Sequence, residues 1–213
     1  TRQVSSAASD VYKRQTKGND VVVNRYPMGV PKPVPINDFN GIVKLTHFLT
    51  PAGSKVYEPA YLALPEIVTV QIDGTRMSEI TGPGDLVAAF KCHYEKVATQ
   101  FGLDALNIDS WHAGIHPLMG YDMLASADPE RWSQTVFSNP RVLHFHTCGI
   151  GPPGEICWMI IDPTITLDGV ALWENGRLHP ERFAPTMDVL RAFPELAIAF
   201  AAPVGEIGLG DEF

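Results

Sequence analysis

The stretch Val142-Leu-His-Phe-His-Thr147, followed by Ile156-Cys-Trp-Met-Ile-Ile161, decides the fold class. Both runs are rich in β-branched, aromatic and other apolar side chains, and the glycines and prolines between them are typical of a turn. Two shorter apolar runs follow at 164–167 and 170–173, and Asp168-Gly169 between them is typical of a tight hairpin. This succession predicts a β-meander.

A second group of strands is predicted nearer the N-terminus. Residues 41–49 form an apolar run, and residues 66–73 alternate in a way typical of a strand. Asp73-Gly74 then predicts a hairpin turn into a further strand over 76–80. Residues 25–39 contain four prolines and predict an extended arm, because proline fixes φ and cannot donate to a strand ladder.

Three helical segments are predicted among these strands. The first begins at Asp85 and ends before Gly102, with apolar residues at helical spacing. The second begins with Asp128 as N-cap and Pro129 as its first residue. The third covers 186–200 and is interrupted at Pro194. The fold class is therefore α+β, with a mixed, mainly antiparallel sheet (the β-meander) and a few packing helices.

Composition limits the function classes. The chain has 213 residues, a formal net charge of −8 and no run rich in lysine and arginine, which argues against a nucleic-acid partner or an anionic membrane. Its apolar runs are shorter than the roughly 20 residues of a membrane span. Three cysteines, an odd number without a C-x-x-C pair, favour a reducing cytoplasm. We expect a cytoplasmic protein that acts on a small-molecule substrate.

The first residues differ in character from the rest. The run at 4–15 resembles the adaptor read-through found at the ends of reading frames assembled from environmental DNA. We expect residues 1–18 to be a non-native or disordered tail. Residues 19–213 are then expected to form a single catalytic-type domain, the C-terminal part of a longer parent.

Four of the seven histidines lie between His112 and His146, next to glycine-rich turns. Clustered imidazoles of this kind suit a metal site. His144 and His146 are two residues apart, so on a strand both point to one face and could supply two ligands. The same spacing would also arise from an ordinary polar sheet face.

Glu155 stands between a glycine- and proline-rich turn and an apolar strand. A carboxylate at this junction either faces water or, if buried, needs a cation or a hydrogen-bond partner to offset desolvation. Together, His112, His116 and Glu155 could make a two-histidine, one-carboxylate set, which serves non-haem Fe(II) sites and many zinc hydrolases. We predict these three as metal ligands.

The order of elements over 66–178 supports a resemblance. The strand at 66–73, the helix after Gly82, the segment 107–117 and the strands from Val142 to Gly169 together resemble the C-terminal part of the aminopeptidase T superfamily, which includes 2,5-dihydroxypyridine 5,6-dioxygenases. The resemblance implies metal ligands in this part of the chain and an α/β domain before it. The ligand positions are altered here: Ser110 and Glu155-Ile-Cys157 occupy two of them, and His112 and Glu155 could substitute.

Three functions are compatible with these patterns. The leading hypothesis is a metal-dependent enzyme resembling ring-cleaving non-haem iron dioxygenases that act on hydroxylated aromatic or pyridine substrates, with His146 as catalytic acid or base. Its cofactor would be a divalent metal, with Fe(II) favoured and Zn or Mn as the other options. A metallo-aminopeptidase-like hydrolase is the second. The third is a metal-free binding or assembly domain, with the β-meander as the interface of a homo-oligomer.

Overall fold

The computed structural model describes residues 33–51, 57–149 and 153–210. Within these ranges the chain forms ten strands and four α-helices. The strands are β1 (Val34–Pro35), β2 (Asn40–Pro51), β3 (Leu62–Asp73), β4 (Arg76–Thr81), β5 (Ile108–Ala113), β6 (Val142–Thr147), β7 (Ile156–Ile161), β8 (Ile165–Leu167), β9 (Val170–Glu174) and β10 (Arg177–Leu178). The helices are α1 (Gly84–Phe101), α2 (Pro129–Val136), α3 (Ala184–Ala192) and α4 (Pro194–Ala201).

Seven strands form one antiparallel sheet in the order β1-β5-β6-β7-β2-β3-β4. The last three strands form a small sheet in the order β10-β9-β8. The predicted α+β class with a mainly antiparallel sheet is confirmed. The β6–β7 pair that decided it lies near the middle of the larger sheet, where strands are flanked on both sides.

Helix α1 covers one face of the large sheet. It ends as predicted, because Gly102 takes a left-handed conformation with φ of 67°. Its buried residues Phe90, Tyr94 and Val97 pack in one core cluster with Trp158 of β7.

Helix α2 covers the opposite face. Asp128 caps it, since Oδ1 accepts a hydrogen bond from the backbone N–H of Arg131 at 3.0 Å, and Pro129 is its first residue. Trp132 of this helix packs in a second cluster with Met159 of β7. Met159 follows Trp158 directly, so the two side chains point to opposite faces and each belongs to a different cluster.

The C-terminal segment after β10 forms the interrupted helix that the sequence predicts. Helix α3 ends at Ala192 and α4 begins at Pro194. No helix in the described ranges has both the length and the apolar character that a membrane crossing requires. The expected tail at 1–18 lies outside the described residues, and the single domain of a longer parent stays a prediction.

Candidate metal centre

Three histidines from two neighbouring strands meet on the α2 side of the large sheet. His112 of β5 stands directly opposite His144 of β6, and His146 follows two residues along β6 on the same face. The strand alternation that the sequence suggested for His144 and His146 therefore holds. Antiparallel pairing with β5 adds the third imidazole, and we call these three residues the histidine triad.

The triad converges through one type of atom. Nε2 of His146 lies 2.9 Å from Nε2 of His144 and 3.1 Å from Nε2 of His112, and Nε2 of His112 also contacts Nε2 of His144. A tetrahedral ion with Zn–N bonds of about 2.0–2.1 Å holds its ligand nitrogens about 3.3 Å apart. The two separations from His146 are within a few tenths of an ångström of that value. The three histidines are close enough to hold a metal ion.

Hydrogen bonding alone does not account for this convergence. A neutral Nε2 carries either one proton or one lone pair, so three Nε2 atoms in mutual contact can form one good N–H···N bond at most. A cation placed among them accepts all three lone pairs at once. The chemistry of the donor set therefore fits a metal ion.

Burial keeps His144 in the metal-binding form. All three residues are about 95% buried, with exposures of 5–6%. Burial, reinforced by the neighbouring His112 and His146, holds the pKa of His144 well below its usual value of 6.5. The imidazole is therefore neutral at neutral pH, and the neutral imidazole is the form that ligates metals.

Glu155 lies behind the triad. Its Oε1 is 2.7 Å from Nδ1 of His146, the ring nitrogen that faces away from the other imidazoles. The two atoms are at ion-pair distance, although the angle falls short of a hydrogen bond. The carboxylate is 3% exposed, and the hydroxyl of Tyr57 donates to the Glu155 carbonyl at 3.0 Å. Glu155 is thus placed beside the ring nitrogen of His146 that lies opposite Nε2.

The triad has an apolar end and a polar end. Met159 stands opposite His144 in the sheet, and the ring of Phe137 lies 5.6 Å from the His144 ring between centroids. At the other end, Cys157 stands opposite His146. Burial first, and then the nearby Glu155, raises the pKa of the Cys157 thiol well above 9.0, so the thiol stays protonated at neutral pH.

The structure brings one of the three predicted ligands into the triad and leaves the other two outside it. His112 belongs to the triad, whereas His116 follows the end of β5 at Ala113 and is not part of it. Glu155 lies beside His146 and is likewise outside the group that could hold an ion. His146, predicted as an acid or base, is placed among the ligand candidates.

His144 is the residue that the predicted ligand set omits. The H-x-H spacing pointed to it, because that spacing places both histidines of β6 on one face. Only the pairing of β5 with β6 shows that His112 is the third member.

Comparisons of the chain with models of protein families, with curated proteins and with solved structures find no match.

Proposed function

We propose that this chain is a metal-dependent enzyme whose metal is held by His112, His144 and His146. The observation that carries the proposal is the convergence of three buried Nε2 atoms with no carboxylate among them. Three protein ligands leave a fourth position open on a tetrahedral ion, as catalytic sites require.

The neutral ligand set favours zinc over the Fe(II) predicted from the sequence. That expectation depended on a two-histidine, one-carboxylate set, whereas the triad offers three imidazoles. Three histidines are one of the ligand sets of catalytic zinc. Because none of the three residues contributes a negative charge, they would leave a bound divalent ion its full charge and hence strong Lewis acidity.

Hydrolysis or hydration of a carbonyl compound is the reaction that this arrangement suits best. When bound, the ion would polarise a carbonyl oxygen and lower the pKa of a water molecule to about 7. The chain's own contribution is to hold the imidazoles: β5 and β6 fix their spacing, and the carboxylate of Glu155 lies 2.7 Å from Nδ1 of His146. From that position it would orient the ring once a metal is bound. The three imidazoles are buried, which limits the access of bulk water to them.

Ring cleavage with Fe(II) is the second candidate. Imidazole also ligates iron, and the apolar side chains of Phe137 and Met159 beside the triad would suit a hydroxylated aromatic substrate. This candidate agrees with the resemblance of 66–178 to the dioxygenases of the aminopeptidase T superfamily.

Paired activity assays separate the two candidates. Protein reconstituted with zinc is assayed for hydrolysis of aryl esters and of aminoacyl anilides, and protein reconstituted anaerobically with Fe(II) is assayed for oxygen uptake with catechols and hydroxypyridines. We expect turnover by the zinc form and none by a His144→Ala variant. If only the iron form is active, and it consumes oxygen, ring cleavage would replace hydrolysis as the proposed reaction. Activity that survives in His144→Ala would contradict the triad as the centre of either reaction.

A further inference from the structure

An aromatic ring lies across two of the three triad imidazoles. The Phe137 ring centroid is 6.2 Å from that of His112 and 5.6 Å from that of His144, with an interplanar angle of 89° to the latter. Phe137 is partly exposed, whereas the imidazoles beneath it are buried. The ring therefore stands between this side of the triad and the surface.

The backbone around Phe137 is fixed from both sides. Before it, Val136 is fully buried in the second core cluster. After it, the carbonyl of Ser138 accepts from the backbone N–H of His116 at 2.8 Å. The side chain of Asn139 then donates to the carbonyl of Val204 at 3.1 Å. The backbone that carries the ring is therefore preorganised, because little of its freedom remains to be lost when a ligand binds against the ring.

Two apolar residues of the sheet lie beside His144 at this end of the triad. Val142 and Met159 share the sheet face with His144 and are at most 2% exposed. The carboxylate of Glu155 is at the opposite end, beside His146. A ligand bound at the triad would therefore meet apolar surface on the Phe137 side.

We propose that the Phe137 ring determines which substrates bind at the metal site. This proposal rests on the proposed function. The class of substrate that the ring selects is a small molecule whose metal-binding atom is carried next to a flat apolar group. That group packs against the Phe137 ring, where burial of aromatic surface and edge-to-face contact both favour it.

Cobalt provides a readout that does not depend on turnover. Co(II) bound by three imidazoles absorbs in the visible range, and its spectrum changes when a fourth ligand binds. The protein is loaded with Co(II) and titrated with imidazole and with 4-phenylimidazole, which share a ligating atom and differ by one apolar ring. The titration is repeated on Phe137→Ala, on Phe137→Leu and on the control Phe183→Ala, which removes a phenyl ring that is 38% exposed elsewhere in the fold.

We expect the wild type and Phe183→Ala to bind 4-phenylimidazole about tenfold more tightly than imidazole, and Phe137→Ala to lose that preference while its affinity for imidazole is retained. Phe137→Leu should be intermediate, and it decides the matter if the alanine variant does not fold. Equal affinities for the two probes in wild type, or a preference unchanged in the Phe137 variants, would overturn the proposed role of Phe137 in specificity. Failure to take up cobalt at all would contradict the metal site itself.

Discussion

Nδ1 of His146 and Oε1 of Glu155 are 2.7 Å apart, and both side chains are more than 90% buried. The opposite ring nitrogen of His146 meets the other two imidazoles of the triad. The His146 ring therefore lies between the other two imidazoles of the triad and the carboxylate of the residue just before β7. A buried carboxylate needs such a partner to offset its desolvation.

Replacing Glu155 should weaken metal binding without abolishing it. Substitution of the carboxylate partner of a ligating histidine typically costs about 10- to 100-fold in metal affinity. We expect a loss of this size for Zn(II) in Glu155→Gln, measured by competition with a chromophoric chelator. Glu95→Gln, which removes an exposed carboxylate from α1, is the control. Equal affinities in the two variants would show that Glu155 does not support the centre.

A methyl group at Gly114 should disturb the triad from a distance. A Cβ there would lie 2.0 Å from the carbonyl oxygen of Asn139 and 2.4 Å from its carbon, so the backbone just after Phe137 would have to move. We expect Gly114→Ala to lower both the free energy of unfolding, by about 1–3 kcal/mol, and the affinity for metal. Urea denaturation and metal titration measure the two effects.

Gly84→Ala is the matched control, because a Cβ at that position has no atom within 4 Å. Its stability should stay within about 0.5 kcal/mol of wild type. If the stability of Gly114→Ala also stayed close to that of wild type, this would contradict the close approach of Gly114 to the segment after α2.

Much of this architecture could be predicted from local patterns. The end of α1 was predictable because Gly102 tolerates the left-handed conformation, and the break between α3 and α4 because Pro194 lacks a backbone N–H. The common face of His144 and His146 was predictable because strand side chains alternate.

The composition of the triad was not predictable in the same way. His112 and His116 are equivalent by residue type, and both lie near glycines. What separates them is that β5 ends at Ala113 and pairs with β6, which begins 29 residues later at Val142. Pairing between distant segments depends on tertiary packing, so no local pattern contains it.

Burial of a neutral His93 should make the folded protein less stable in mild acid. Burial, with a smaller effect from Lys96, lowers the pKa of His93 from 6.5 to about 4. The unfolded chain therefore binds a proton that the folded chain does not. This contribution to stability is present above pH 6.5 and is lost as the pH falls from 6.5 towards 4.

A difference of this size corresponds to roughly 3 kcal/mol of unfolding free energy. In His93→Phe that part of the pH dependence should be absent. Urea denaturation at pH 7.0 and pH 4.5 of both proteins measures it, and the wild type should lose more stability between the two values. Parallel losses would show that His93 is not titrated as its burial predicts.

Trp132 should contribute strongly to the stability of the α2 side. Its side chain is fully buried, packs against the Phe48 ring at 5.9 Å between centroids, and donates Nε1–H to the carbonyl of Ile207 at 2.7 Å. We expect Trp132→Ala to lower the free energy of unfolding by about 3–5 kcal/mol. Leu118→Ala, at a residue that is 54% exposed, should change it by less than about 0.5 kcal/mol. Comparable effects of the two substitutions would contradict the second core cluster.

The metal content of the purified protein tests the central claim most directly. Wild type, His144→Ala and the control His179→Ala, whose histidine pairs instead with Glu181 at 2.8 Å, are purified anaerobically and analysed for zinc, iron and manganese together. The triad predicts close to one equivalent of metal, most of it zinc, in wild type and in His179→Ala, with loss in His144→Ala. Metal retained in His144→Ala, or none in wild type even after incubation with zinc, would contradict a metal centre at His112, His144 and His146.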